Sequence, residues 1–298
     1  MQVTYVYHNF SDFPGKDSLA NIIIMIGDWV KLARLSNALV AGFGVWLGHA
    51  CLPQQMDWTA ASIGFIALAL LVMAGNIHND ILDLSTDSIN RPTRPLPQGR
   101  VTGKQAWWAT VALYFTSLAL AFTLGRAAGI LTLGMAALLY IYNLKLKSLP
   151  LFGNLAVSLL CALAIYFPES PGLPIHTGLP ALFAFLTTLA REIAKDAEDI
   201  LGDTAVGRIT FPIRFGTLST RLASMLVTTL ILALLPIPYL WLNYHAGYGL
   251  VALIGPLPLL VIVLKKLFTH VPDWGGIQRN LKWVMLAGML AIFAGILF

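Results

Sequence analysis

The stretch Asn76-Ile-His-Asn-Asp-Ile-Leu-Asp-Leu-Ser-Thr-Asp87, continued by Ser88-Ile-Asn-Arg-Pro-Thr-Arg-Pro-Leu-Pro-Gln-Gly-Arg100, decides how the rest of the chain is read. It closes a long apolar run, where carboxylates are costly to place. At about 100° per residue, Asn76, Asp80, Asp83 and Asp87 fall in one narrow stripe of a helix. Carboxylates so arranged repel one another unless a cation neutralises them. Mg²⁺ suits the donors, since it binds through one or two carboxylates together with substrate phosphates. His78 lies about 200° around the helix from Asn76, which assigns it to packing and not to the metal.

Outward from this stretch, the chain is apolar. Of its 298 residues 57% are hydrophobic and 11% charged, and the mean hydropathy is +0.75. A soluble domain carries roughly 25% charged residues, so the composition describes a multi-pass integral membrane protein. Nine apolar stretches suit membrane spans: 34–53, 59–79, 104–125, 127–142, 151–168, 178–194, 219–240, 248–267 and 281–298. Each is near the ~20 residues needed to cross a hydrocarbon core. Residues 18–33 suit an amphipathic helix lying in the interface and leading into the first span. The first twenty residues lack the basic head and apolar core of a cleaved leader. The expected fold is all-α, with nine transmembrane helices in one bundle around a central cavity, forming a single domain over 1–298.

Charge orients that bundle. With nine spans, 18 of the 19 Lys and Arg residues fall on the side of the N-terminus, and Arg126 alone falls on the other. The positive-inside rule makes that side cytoplasmic. The net charge of +5 is divided among short loops and is no nucleic-acid footprint. Cys51 and Cys161 sit in or beside apolar runs and suit small buried hydrophobes. The Trp107–Trp108 pair and Trp241 suit interface anchors.

A second acidic stretch, Arg191-Glu-Ile-Ala-Lys-Asp-Ala-Glu-Asp-Ile-Leu-Gly-Asp203, repeats the first. Glu192, Asp196, Asp199 and Asp203 each follow their counterparts by 116 residues. Both clusters end an even-numbered span and are followed by Arg and Pro. This implies an internal duplication, with a first half over 18–142 and a second over 151–298, and a site between the two acidic ends. Acid facing acid across a cavity calls for metal ions, two of which would satisfy the charge while bridging to a diphosphate. Arg91, Arg94, Lys145, Lys147 and Arg208 are available to cover the remaining phosphate oxygens. A diphosphate whose other end belongs in lipid is a polyprenyl diphosphate. The competing class is an ion-coupled transporter, but transporter acids lie near the midplane at broken helices, not at span ends beside Arg-rich loops.

These residues carry a family resemblance. Asn79-Asp80-x-x-Asp83-x-x-x-Asp87 with Asn90-Arg-Pro-x-Arg-Pro resembles the first motif of the UbiA-type intramembrane prenyltransferases, and Asp199-x-x-x-Asp203 resembles their second. Tyr142-Asn-Leu-Lys-Leu-Lys147 with Gly153-Asn154 is similar to the family's basic segment after the fourth span. Arg34-x-x-Asn37 matches a further element, with Leu35 where many members have proline. The resemblance implies Mg²⁺ held by Asp80, Asp83, Asp87, Asp199 and Asp203, and ionisation of the diphosphate to an allylic cation with Lys145 and Tyr142 as catalytic partners. It implies substrate contacts from Asn76, Asn79, Arg91, Arg94, Lys147, Asp196, Arg208, Arg34 and Asn37. The wording of the second motif is most similar to members that prenylate the hydroxyl of geranylgeranylglyceryl phosphate. Prenylation of an aromatic quinone precursor and esterification of a chlorophyllide are the alternatives within the family.

Overall fold

The computed structural model describes residues 18–53, 55–169 and 176–297. The polar opening segment with Asp12, Lys16 and Asp17 lies outside the described residues. The described residues contain helices and no strands. The chain begins with α1 (Ser18–Ala33), α2 (Leu35–Cys51), α3 (Trp58–Leu82), the short α4 (Leu84–Asn90), α5 (Gly103–Thr123), α6 (Arg126–Leu144) and α7 (Phe152–Tyr166). It continues with α8 (Gly178–Glu198), the short α9 (Ile200–Ala205), α10 (Phe211–Leu234), α11 (Ile237–Trp241), α12 (Ala246–Ile254), α13 (Pro256–Phe268) and α14 (Trp274–Leu297). Six helical units in the described residues are long and apolar enough to cross a membrane: α3, α5, α6, α10 with α11, α12 with α13, and α14. Helices α2 and α7 are apolar but shorter. Helix α8 has the length of a span but carries charge along its last two turns.

Local chemistry sets the boundaries. Asp57 caps α3 by accepting from the backbone N–H of Thr59 and of Ala60, both at 3.0 Å, and Thr102 with Gln105 forms a capping box on α5. The expected stretch 248–267 is broken: Gly255 separates α12 from α13, and Pro256 cannot donate back to the preceding turn. The expected 219–240 helix starts earlier, at Phe211, with a kink at Gly216 whose φ is 81°. The last helix likewise begins at Trp274, ahead of the expected 281. Neither α6 nor α7 is broken, although both stretches are short in sequence.

Helices α3 and α8, the two with acidic ends, are each the hub of one half. Helix α3 packs on α2, α5 and α6, and α8 packs on α7, α10 and α14. Helix α2 reaches both α7 and α14 and ties the halves together. One buried cluster, with Leu68, Leu71, Ala121 and Met135, fills the first half. Another, with Ala190, Ala194, Val263, Ile277 and Leu281, fills the second. Polar groups inside the bundle donate to backbone carbonyls, as Ser117 Oγ does to Ala67 O at 2.7 Å.

The single continuous stripe expected for residues 76–87 is corrected by a helix break. Asp83 leaves helical geometry (φ −93°, ψ 10°), ending α3 and starting α4. Asp199 does the same between α8 and α9 (φ −91°, ψ 6°). The two acidic stretches thus share a backbone bend at matching positions, so the later aspartates turn out of line with the helix and over the space between the halves.

Candidate active site

Between the two acidic bends opens a cavity of about 710 Å³. Its walls take residues from both halves: Asn76, Asn79, Asp83, Asp87, Arg91 and Arg94 from the first, and Asp196, Asp199, Asp203 and Arg208 from the second. Arg34, Asn37, Tyr142 and Lys147 complete the polar part. Deeper walls are apolar, with Leu68, Leu71, Met135 and Leu139 on one side and Phe183, Met285 and Ile292 on the other.

The carboxylates are met by basic side chains, and the pairing crosses the halves. Asp83 Oδ1 accepts from Lys147 Nζ at 2.7 Å and from the Arg208 guanidinium, which comes from the second half. Arg208 also reaches Asp203, at 3.5 Å, and Arg91 of the first half lies 3.6 Å from Asp199 of the second. Arg94 bridges Asp87 and Asp80. Asp83, Asp87 and Asp203 are each less than a tenth exposed, so these ion pairs work in a low-dielectric site where an unpaired charge is costly.

Two local features hold the basic residues in place. Arg34 sits in the left-handed region (φ 50°) between α1 and α2, a conformation a non-glycine residue holds only when its surroundings fix it. The constraint is visible: Arg34 Nη2 donates to Asp80 Oδ1 at 2.5 Å. Lys147 lies in the 3₁₀ turn Leu146–Ser148, against which the start of α7 packs closely. A Cβ on Gly153 would lie 3.0 Å from Leu146 O and from Lys147 Cα, a tight fit against backbone that favours glycine there. Burial pushes the Lys147 ammonium below the usual lysine range, with the Asp83 pair opposing that shift. Burial also raises the Asp203 carboxyl, against the pull of Arg208.

Most of the site residues expected from sequence come together here, and two do not. Asp80 is buried behind Arg34 and Arg94 and is absent from the cavity wall. Lys145 is exposed and outside the cavity, whereas Lys147 is inside, because the turn after α6 points only one of the two lysines inward. His78 faces away from the cavity, stacked on Tyr140 with centroids 5.3 Å apart. Sequence reasoning missed Asn143, which accepts from Asn79 Nδ2 at 3.1 Å and donates to Gly75 O at 3.0 Å. It also missed Arg191, Lys195, Gln278 and Lys282 as wall residues. The spacing of Gln278 and Lys282, one turn apart at the head of the last apolar stretch, was the available signal.

No three His, Cys, Asp or Glu side chains among the described residues close into a ready-made metal cage. The donor set nevertheless fits Mg²⁺, which takes a few hard carboxylate oxygens and completes its shell with water and phosphate. Asp83, Asp87, Asp199 and Asp203 supply those oxygens around one cavity, and basic side chains already sit at all four of them.

The model of the UbiA prenyltransferase family matches residues 38–274. A digeranylgeranylglyceryl phosphate synthase from Methanopyrus kandleri is 33% identical over 273 residues, covering 90% of this chain and 99% of that protein. The enzyme of the same description from Pyrococcus abyssi is 34% identical over 280 residues, covering 90% and 96%. Among solved structures, a digeranylgeranylglyceryl phosphate synthase superposes with a TM-score of 0.70 at 26% identity, over 92% of this chain and 99% of that one. A UbiA homologue from Archaeoglobus fulgidus bound to GPP and Mg²⁺ superposes with a TM-score of 0.69 at 18% identity, over 91% and 100%, a likeness of fold.

Proposed function

The chain belongs to the UbiA prenyltransferase family and is an intramembrane prenyltransferase, and from that premise we propose that it moves a geranylgeranyl group from its diphosphate to the hydroxyl of geranylgeranylglyceryl phosphate. The observation that carries the reading is the convergence of Asp83, Asp87, Asp199 and Asp203 with Arg91, Arg94, Lys147 and Arg208 at one end of a cavity whose remaining walls are apolar. A diphosphate fits the charged end, and an isoprenoid fits the rest. The relatives described as digeranylgeranylglyceryl phosphate synthases, 33% and 34% identical, support the choice of acceptor.

In this reading the two halves are a duplicated unit, 18–142 and 151–298, of one nine-span domain. The matching bends at Asp83 and Asp199 support the duplication. The side carrying nearly all Lys and Arg residues, with the N-terminus and the site, faces the cytoplasm.

The reaction follows from the residues. Mg²⁺, as two ions, would bind Asp83, Asp87, Asp199 and Asp203, with Asp80 fixing Arg34 and Arg94 behind them, and would stabilise the charge that develops on the diphosphate. Donor binding draws Arg91, Arg94, Lys147 and Arg208 off the carboxylates and onto phosphate oxygens, where guanidinium groups bind in a bidentate way. Asn76 and Asn79 orient these ligands: Asn76 Nδ2 is fixed on Ala33 O at 3.0 Å, and Asn79 on Asn143. Tyr142 and Asn37, which line the same cavity, would meet the allylic end, and the apolar walls keep water from the cation. Asp196, which lines the cavity and accepts from Asn154 Nδ2 at 2.8 Å on Oδ2, is the base that takes the proton of the acceptor hydroxyl. The test is transfer of labelled geranylgeranyl from its diphosphate by the purified full chain in nanodiscs. Labelling of geranylgeranylglyceryl phosphate is expected; labelling confined to an aromatic acid or a chlorophyllide would refute the acceptor.

A further inference from the structure

Helices α8 and α14 pack through Ala190 and Ala194 on one and Ile277 and Leu281 on the other. The next residue of each, Arg191 and Lys195 on α8 and Gln278 and Lys282 on α14, is therefore turned by the same step and lines the cavity. Along α14 the cavity wall continues as Met285, Met289 and Ile292. With Gln278 and Lys282, these positions (offsets 0, 4, 7, 11 and 14) form one stripe at about 100° per residue. The stripe is polar and cationic for one turn and apolar for the next two. Helix α8 runs from charged to apolar in the same direction opposite, with Lys195, Arg191 and the carboxylates Glu192 and Asp196 giving way through Thr188 to Ala184 and Phe183.

The basic residues on α8 are also met by a carboxylate, but one of them keeps an unused donor. Glu192 pairs with Arg191 at 3.1 Å and with Lys195 at 3.4 Å. Arg191 Nε is nonetheless buried with no hydrogen-bond partner, a costly state for a cationic donor unless a ligand relieves it. Lys282 contributes a further ammonium to the same wall.

We propose that the cleft between α8 and α14 is the acceptor subsite, in which Arg191 and Lys282 hold a phosphate monoester head while the acceptor's own apolar chain lies along Met285, Met289 and Ile292. The proposal rests on the reading of the chain as a prenyltransferase with a lipid phosphate acceptor and adds where that acceptor is recognised. It separates two anions by position. The donor diphosphate is met where Asp83, Asp87, Asp199 and Asp203 gather, and the acceptor phosphate is met further along α8 and on α14, where Arg191, beside Glu192, and Lys282 line the wall. Arg191 and Lys282 are thus specificity-determining residues.

The experiment uses the full chain in nanodiscs and compares wild type with Lys282→Gln, Lys282→Arg and Arg191→Gln. Acceptor KM is measured with geranylgeranylglyceryl phosphate and with geranylgeranylglycerol, which lacks the phosphate, and acceptor binding is measured by titration with no donor or Mg²⁺ present. Loss of one charge-assisted contact is expected to raise the KM and Kd for the phosphate acceptor roughly tenfold or more. The KM for the donor and for the phosphate-free acceptor should stay unchanged, and Lys282→Arg should recover most of the affinity. Equal loss for both acceptors, loss of donor affinity, or no change in either KM would overturn the proposal. If wild type transfers no prenyl group at all, the function itself fails. If wild type labels the lipid phosphate and the variants keep their discrimination, this inference alone fails.

Discussion

Asp83 is one of two aspartates at which the described halves meet electrostatically, Asp199 being the other, and Asp83→Asn is the perturbation that bears most on the mechanism. Its Oδ1 accepts from Lys147 Nζ at 2.7 Å and from the Arg208 guanidinium, with the three side chains 12%, 12% and 20% exposed. Two charges about 4 Å apart interact by about 4 kcal/mol at an effective dielectric constant of 20. Removing the carboxylate charge therefore forfeits a large attraction and leaves two cations facing each other. Solvent at the cavity mouth and relaxation of both side chains recover part of this, so a net loss of about 2–3 kcal/mol in stability is expected. Turnover with Mg²⁺ should fall about 10²-fold, or about 2.7 kcal/mol in the barrier, since the carboxylate proposed to hold Mg²⁺ at the leaving diphosphate is gone. Binding of geranylgeranyl diphosphate in EDTA should move the opposite way and tighten, because Lys147 and Arg208 are released from their internal partner. The assays are labelled transfer with Mg²⁺ and donor titration in EDTA. Turnover within threefold of wild type, or a metal-free affinity that falls along with turnover, would refute the reasoning.

Gly153→Ala should cost about 1–3 kcal/mol by forcing a Cβ against Leu146 O and Lys147 Cα; thermal unfolding in detergent and kcat should both drop, while Gly134→Ala, where open space surrounds the new methyl, changes neither. Asp196→Asn should lower kcat for transfer at least tenfold while leaving donor Kd unchanged, and rapid-quench kinetics would reveal a contrary result as loss of donor binding. His78→Phe should keep activity within a few-fold, because His78 packs on Tyr140 away from the cavity; a strong Mg²⁺-dependent loss would place the imidazole in the site after all.

The chemistry was legible in the chain because membrane burial makes charge informative. Asp80, Asp83 and Asp87 could not end an apolar run without a cause, and the 116-residue repeat showed where their partners lay. The bends at Asp83 and Asp199 were not legible, since no Gly or Pro marks either one and helical spacing was carried straight through them. The pairing between halves was equally hidden: Arg208 lies 125 residues from Asp83. Choosing between Lys145 and Lys147 required the turn geometry after α6, which Leu151 (φ 70°) and Gly153 control. By contrast, the break between α12 and α13 was written in Gly255-Pro256-Leu-Pro258, and the apolar composition around it masked the signal. Lys282 was readable only as a loop-end charge until the packing of α14 on α8 turned it inward.

The central claim is that the donor diphosphate is held jointly by the two acidic bends. The most direct measurement is ³¹P line broadening of bound geranylgeranyl diphosphate by Mn²⁺ substituted for Mg²⁺, in wild type and in Asp87→Asn and Asp203→Asn. Strong broadening in wild type and its marked reduction in each single variant is the predicted result. Broadening that persists unchanged in either variant would show that one cluster suffices and contradict the account.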